Sequence, residues 1–157
     1  MTTPQAPLLI LKDFLPYRLS VLSNRISDAI AARYSARFNL KIQEWRVMAV
    51  LGEKPDLSAA EISERTAMDK VAVSRAVKSM LASDHLERHF SESDRRRSVI
   101  ALSEKGREVY AQIVPLALAY EEAILDKMSD EMRACLRPLL RELDDIQLHT
   151  LDISENS

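Results

Sequence analysis

The chain has 157 residues, of which 46% are hydrophobic and 29% are charged, with a formal net charge of −2. This length fits one compact domain, or one domain with a helical extension. No apolar run reaches the roughly 20 residues that span a bilayer. The single cysteine, Cys135, excludes an internal disulfide framework. The negative net charge argues against a protein that coats nucleic acid without regard to sequence. Because the N-terminus also lacks the pattern of a secretion signal, we expect a cytoplasmic protein without a membrane partner.

Charge is unevenly distributed along the chain. Residues 1–53 have a net charge of +3 and residues 54–107 of +2, whereas residues 108–157 hold 4 Lys and Arg against 11 Asp and Glu. Phosphate would repel this acidic last third. We therefore expect any nucleic acid to contact the first two thirds, with the last third facing away or pairing with another subunit.

Apolar spacing and capping residues predict six helices and two strands. Pro16 fits the first turn of a helix, Ser58 with Glu61 forms a capping box, and Asp69, Ser103 and Ser129 are good N-caps. The predicted elements, in chain order, are helices over residues 16–37, 43–53, 58–66 and 69–83, strands over 85–91 and 98–102, and helices that start at 103 and 129.

Glycine and proline mark the expected interruptions. Gly52 and Pro55 are expected to close the second helix, while Pro115 and Pro138 should bend the fifth and sixth. This order of elements predicts a mainly α fold with a small β-hairpin: a winged helix-turn-helix with flanking helices. The predicted divisions are residues 1–38, 39–103 and 104–157. The alternative is a plain helical domain in which every apolar stripe is core.

The fourth helix is predicted to have two different faces at about 100° per residue. The inward face is predicted to contain Val73, Ala76, Val77, Met80 and Leu81. The outward face is predicted to contain Val71, Ala72, Ser74, Arg75 and Lys78. Small side chains beside cations suit a major groove, where Arg can donate twice to guanine and Lys or Ser can hold phosphate. Lys70 stands at the helix start, where the helix dipole already favours an anion. The alternative is an ordinary solvated face.

Between the two predicted strands lies the basic segment Arg95–Arg97. In extended backbone Asp94 and Arg96 lie on the same side, so the carboxylate can orient that arginine. Arginine at a wing tip fits a narrow, electronegative minor groove. The alternative is a solvated basic turn. The complete predicted set of DNA-binding residues is Ser58, Lys70, Val71, Ala72, Ser74, Arg75, Lys78, Arg95, Arg96 and Arg97.

These residues resemble the MarR family of bacterial transcriptional regulators over roughly residues 15–146. The wing signature of that family, Asp-x-Arg, then Leu-Thr, then x-x-Gly, stands here as Asp94-Arg95-Arg96, Leu102-Ser103 and Gly106, with serine in place of threonine. Ser74-Arg75 matches the polar-Arg pair of the family's recognition helix. Asp84 begins a segment that starts with glycine in many members, which leaves the turn geometry there open, although Arg88 of that segment is retained.

The resemblance implies a homodimer built by the terminal helices, which places two winged domains on a pseudo-palindromic operator. It also implies a pocket between the dimer helices and the DNA-binding lobe. Binding of a small aromatic acid or similar effector there releases DNA from many members of the family. The segment 14–20 resembles the first helix of members that answer aromatic acids or their thioesters.

Four residues at the starts of the first two helices are candidates for this effector site: Tyr17, Arg18, Trp45 and Arg46. An aromatic wall beside an arginine could hold a carboxylate. The alternative is that Trp45 belongs to the core and that the arginines are surface charges.

Other chemistries have weaker signals. Cys135 could sense oxidants, but no second cysteine accompanies it, and an ordinary thiol is the alternative. His85 and His89 would lie about 13 Å apart on a strand, too far to share a metal. With 2 glycines the chain offers no phosphate-cradling loop, and no catalytic constellation is evident. We expect no enzyme activity, cofactor or metal.

The sequence therefore predicts a homodimeric transcriptional repressor that a small aromatic ligand releases from double-stranded DNA. An architectural DNA-binding protein without an effector is the second hypothesis, and the net acidity argues against it. A helical scaffold that binds no DNA is the third, and the small and basic residues of the fourth helix argue against that.

Overall fold

The computed structural model describes residues 8–90 and 98–146. Its elements are α1 (Leu15–Phe38), α2 (Ile42–Glu53), α3 (Ala59–Thr66), α4 (Lys70–Ala82), β1 (Leu86–Phe90), β2 (Ser98–Leu102), α5 (Glu104–Leu125) and α6 (Asp130–Asp145). The predicted class, mainly helical with one antiparallel hairpin, is confirmed. The described residues form two compact units, divided between Ala117 and Leu118 within α5.

Side-chain caps fix the start of the two short helices in the middle of the chain. The Ser58 hydroxyl accepts the Glu61 N–H at 3.3 Å, and the Glu61 carboxylate accepts the Ser58 N–H at 2.8 Å. At α4 the Asp69 carboxylate accepts the Ala72 N–H at 2.8 Å. Each cap satisfies a backbone donor that the helix itself leaves free, which is worth about 1 kcal/mol. Between them Ala67 takes a left-handed conformation, with φ 52°, and makes the sharp turn.

The core of the first unit gathers apolar side chains from α1 to α5. Its fully buried members include Tyr34, Val47, Met48, Leu51, Leu57, Ile62, Val73, Met80, Val99 and Ile113. Burial of each large side chain contributes roughly 1.5–3 kcal/mol relative to exposure. This packing fixes the position of α4 against α2 and α3 and leaves the other face of α4 in solvent.

The predicted end of the second helix at Glu53 is confirmed, with Lys54 as the C-cap. Gly52 lies inside the last turn of α2 and is not the capping residue. A Cβ at Gly52 would lie 2.4–2.8 Å from three ring atoms of Tyr110. The glycine therefore provides room for a tyrosine from α5 and does not end the helix.

The hairpin is joined to the loop that precedes α3. Strands β1 and β2 pair in antiparallel register from Leu86 opposite Leu102 to Phe90 opposite Ser98. Leu57 adds an isolated bridge to Ile100, with N···O distances of 3.2 and 2.8 Å. The root of the hairpin is thus hydrogen-bonded to the loop before α3 as well as paired within its own two strands.

Three elements meet where α4 ends, β1 begins and α5 begins. The Ser103 hydroxyl donates to the Asp84 carbonyl at 2.6 Å and accepts the Gly106 N–H at 2.9 Å. A Cβ at Gly106 would lie 2.0 Å from the His85 carbonyl oxygen, so only glycine fits this approach. Asp84 has φ 62°, in the left-handed region that glycine favours and aspartate tolerates. The turn geometry is therefore available without the family's glycine.

His85 is buried at this junction, and its Nδ1 lies 2.7 Å from the Ser83 hydroxyl. Burial lowers the pKa of His85 below 6.5, and the positive charge of Lys105 lowers it further, against opposing effects of Glu44 and Asp84. The neutral ring is thus the form that the folded state favours.

In the second unit, α6 pairs with the end of α5 through surface charges. Arg133 contacts Glu122 and also lies 3.0 Å from Asp126, while Arg137 lies 3.5 Å from Glu121. Helices α5 and α6 run through Pro115 and Pro138 without ending. Within the described ranges no helix is both long and apolar enough to cross a membrane.

We expect Gly106→Ala to lower the free energy of unfolding by about 1–3 kcal/mol, because the new methyl group would overlap backbone that cannot move alone. Urea unfolding followed by circular dichroism measures this change. Glu108→Ala is the control, because that exposed position lies on the same helix. Equal stability of the two variants would contradict the close contact.

We also expect the stability of the protein to fall as the pH drops below 6.5. The unfolded chain protonates His85 more readily than the folded protein does, so the stabilising effect is present above pH 6.5 and is lost as pH falls through the lowered folded pKa. Unfolding by urea at pH 7.5 and 5.5 should show a larger loss for the unmodified protein than for His85→Gln. Parallel losses in the two proteins would show that His85 does not contribute.

Candidate nucleic-acid interface

The two faces predicted for α4 are present. Val73, Ala76, Val77 and Met80 are buried, and Leu81 is partly buried. On the other side Val71, Ser74, Arg75 and Lys78 are exposed and Ala72 is half-buried. The exposed face of α4 therefore combines small side chains with the long cationic side chains of Arg75 and Lys78.

The cations of α4 are available for an external anion. Among the described residues neither Arg75 nor Lys78 makes an ion pair or a side-chain hydrogen bond, and Lys70 is exposed in the first turn of the helix. An unpaired arginine keeps all five of its N–H donors free. This face can therefore bind phosphate oxygens and base edges, which both present acceptors.

The Ser58 hydroxyl, which is predicted to contact DNA, is already used in capping α3. Its hydroxyl donates to the Glu61 carboxylate at 2.7 Å in addition to accepting the Glu61 N–H. A phosphate contact at Ser58 remains a prediction, and its backbone N–H is also already used by Glu61.

The predicted wing-tip residues, Asp94 and Arg95–Arg97, lie outside the described residues. What the structure does describe is the pair of strand ends on either side, Phe90 and Ser98, which are register partners. Near that end the His89 ring nitrogen Nε2 lies 2.8 Å from the Asp56 carboxylate. This contact adds a second tie between the hairpin and the loop that carries Leu57.

The four candidate effector residues do not lie together. Trp45 lies between two tyrosines, with ring centroids 5.6 Å from Tyr34 and 6.1 Å from Tyr110. Tyr17 and Arg18 are exposed at the other end of α1. Because Tyr34 follows Tyr17 by 17 positions, the two tyrosines are about 25 Å apart along the helix. The structure therefore separates Tyr17 and Arg18 from Trp45 within one chain.

Arg46 and Tyr34 give this aromatic cluster its polar groups. Arg46 donates to the Ser27 hydroxyl at 3.4 Å. The Tyr34 hydroxyl is buried and has no hydrogen-bond partner among the described residues, and burial raises the pKa of Tyr34 to about 12. Sequence reasoning missed Tyr34 and Tyr110, because no spacing pattern links residues of α1 and α5 to Trp45.

The remaining candidates are separate from one another. His85 contacts Ser83 and His89 contacts Asp56, while Cys135 is exposed on α6 as a free thiol. In the described ranges no three or more His, Cys, Asp or Glu side chains form a group that could hold a metal ion.

Family comparison adds to this geometry. Residues 38–97, from the end of α1 to the residue before β2, match the model of the MarR family. The matching part is 60 of the 157 residues, and over that part the chain is similar to members of the MarR family. Members of this family are transcriptional regulators and not enzymes.

Relatives and solved structures agree with this assignment. The HTH-type transcriptional regulator BilQ of Clostridium symbiosum is 26% identical over 93 residues, which cover 59% of this chain and just under two thirds, 65%, of BilQ. A MarR/EmrR family transcriptional regulator from Acinetobacter sp. ADP1 is 27% identical, with a TM-score of 0.77 over 87% of this chain and 96% of that one. Both of these proteins are described as transcriptional regulators.

A third likeness concerns the fold alone. BpsR of Bordetella bronchiseptica, whose DNA binding is regulated by 6-hydroxynicotinic acid, is 18% identical, with a TM-score of 0.74 over 89% of this chain and 99% of BpsR. The likeness in fold thus extends over 89% of this chain and is not confined to the segment that matches the family model.

Proposed function

We propose that the protein is a transcriptional repressor that binds a pseudo-palindromic operator as a homodimer. A small aromatic carboxylate or its thioester releases this repressor from the operator. The observation that carries the DNA-binding part is the exposed face of α4, where Arg75 and Lys78 are unpaired beside small side chains. The MarR-family match of residues 38–97 supports the same conclusion.

In this proposal α4 enters the major groove. Ala72 and Ser74 permit close approach, Val71 offers an apolar surface for a thymine methyl group, and Arg75 donates to a guanine edge. Lys78 and Lys70 neutralise phosphates and set the position of the helix without reading sequence. The buried half of α4 contributes by holding this face at a fixed angle to the domain.

The wing would contact the neighbouring minor groove through Arg95, Arg96 and Arg97, with Asp94 orienting Arg96. Arginine is favoured there because a narrow minor groove concentrates negative potential. Support comes from the root of the hairpin, where the Leu57–Ile100 bridge and the Asp56–His89 contact hold the strands that lead to these residues.

Exposed apolar side chains support the homodimer. On α1 these are Leu15, Tyr17, Leu19 and Leu22, and on α6 they are Met132, Leu139 and Leu140. Each unit thus has a helix with a large apolar surface in solvent, which is unusual for a monomer and typical of an oligomer interface. Two copies would give two recognition helices, as a pseudo-palindromic operator requires.

The aromatic cluster around Trp45 is the proposed effector site. Rings from α1, α2 and α5 meet there, Arg46 supplies a cation, and the Tyr34 hydroxyl supplies an unpaired donor. Such a set suits an aromatic ring that bears a carboxylate. The regulation of BpsR by 6-hydroxynicotinic acid supports an aromatic acid as the ligand class.

The effector would release DNA if it bound more tightly, by a few kcal/mol, to a dimer whose recognition helices have a spacing that does not fit the operator. In a dimer, Tyr17 and Arg18 could approach this site only from the partner copy.

We expect Arg75→Ala to weaken operator binding by about 1–3 kcal/mol and to relax the sequence preference at one position of each half-site, because a bidentate contact to guanine is lost. Lys78→Ala is the matched comparison, and it should weaken binding to all sequences equally. Binding of both variants to a library of operator variants at fixed salt distinguishes the two. An Arg75→Ala loss that is absent, or uniform across sequences, would contradict base readout by Arg75.

We expect one member of a panel of aromatic acids and their thioesters to release the unmodified protein from DNA of its own upstream region. Arg46→Gln should raise the concentration for half-release about tenfold, since a charge-assisted hydrogen bond is worth 1.5 kcal/mol or more. Arg33→Gln, at an exposed position on α1, is the control. Specific binding that no compound relieves would remove the effector proposal, and equal binding to random DNA would favour the architectural hypothesis.

A further inference from the structure

A groove of about 230 Å³ lies between the start of α2 and the middle of α4. Its α2 side is formed by Lys41, Gln43 and Glu44, and its α4 side includes Ala72, Arg75 and Ser79. Ala72 and Arg75 belong to the face proposed to contact DNA. The groove therefore continues that face sideways onto a second helix, which sequence reasoning did not connect with DNA.

The charges of the groove favour an anion at its rim. Lys41 is exposed and, like Arg75, makes no ion pair within the described residues, so two free cations flank the opening. Glu44 is the opposing charge, but it is only 5% exposed and its carboxylate accepts the Lys41 backbone N–H at 2.8 Å. The lining thus has a net charge of +1, with both cations outermost.

We infer that Lys41 and Gln43 bind the phosphate backbone of the operator beside the major groove that α4 occupies. This inference rests on the proposed function. A major groove is about 12 Å wide, so a recognition helix fills it. The part of the protein beside that helix, here the start of α2, then meets the sugar-phosphate backbone at the edge of the groove. The Lys41 ammonium and the Gln43 amide can both donate to phosphate oxygens, which carry no sequence information.

The logarithm of the binding constant falls linearly with the logarithm of the salt concentration, and each phosphate that the protein neutralises adds about 0.9 to the steepness of this slope. We expect Lys41→Gln to reduce this slope by about 0.9 per protomer, and hence by about 1.8 for a dimer on one operator. Affinity at low salt should fall equally for operator variants, whereas Arg75→Ala should change their order. Gln43→Ala should lower affinity with little effect on the slope, because its amide carries no charge.

Lys54→Gln is the matched control, because Lys54 is an exposed lysine at the opposite end of the same helix, about 20 Å away. Lys41→Arg should restore the slope, since it restores the charge. Fluorescence anisotropy with operator DNA at several salt concentrations gives all of these values. Thermal unfolding of each variant shows whether the fold is kept, as expected for an exposed side chain.

The outcomes separate this inference from the proposed function. A loss of slope in Lys41→Gln but not in Lys54→Gln supports the contact. An unchanged slope in Lys41→Gln, while the unmodified protein binds its operator specifically, overturns the contact and leaves the regulator proposal intact. Equal reductions in the two lysine variants also overturn it, because they indicate a general effect of net charge. Failure of the unmodified protein to prefer its operator would overturn the proposed function itself.

Discussion

The close approach of Gly106 to the His85 carbonyl fixes the relation of three elements that any DNA contact depends on. A side chain at this position would lie 2.0 Å from the carbonyl oxygen. Because only hydrogen fits there, the first turn of α5 can lie directly against the turn that joins α4 to β1. Ser103 then completes the junction by accepting from Gly106 and donating to Asp84. The end of the recognition helix, the start of the wing and the start of the long helix thus share one set of short contacts.

Two further sets of contacts in the first unit fix the elements that leave this junction, α4 and the hairpin. Toward α4, burial of Val73, Val77 and Met80 decides which side of the helix faces solvent. Toward the hairpin, the isolated bridge between Leu57 and Ile100 ties β2 to the loop before α3. The recognition helix and the root of the wing therefore belong to one packed body. A protein that presents both to DNA needs this rigidity, because loss of a fixed angle between them would separate the two contacts.

Sequence reasoning predicted what short-range physics decides. The caps at Ser58, Asp69 and Ser129 act within one helical turn, and the alternation of α4 is set by its own 3.6-residue period. Contacts between distant segments were missed: the ring contacts of Trp45 with two tyrosines, the room that Gly52 leaves for Tyr110, and the groove beside Lys41. These depend on how helices pack, which a local pattern does not encode. The roles of the predicted DNA-binding and effector residues remain predictions.

The separation of the two faces of α4 has a consequence for how binding preference can change. Ser74, Arg75 and Lys78 have no contacts that the fold requires, while the neighbouring buried residues supply the packing. Substitutions on the outer face therefore have little cost in stability, and under the proposed function they would alter the DNA sequence that the helix binds. Gly106 allows no such freedom, since its partner is backbone and no compensating side chain can make room. Such a scaffold suits the design of regulators for new operators, with variation confined to a few positions on one helix.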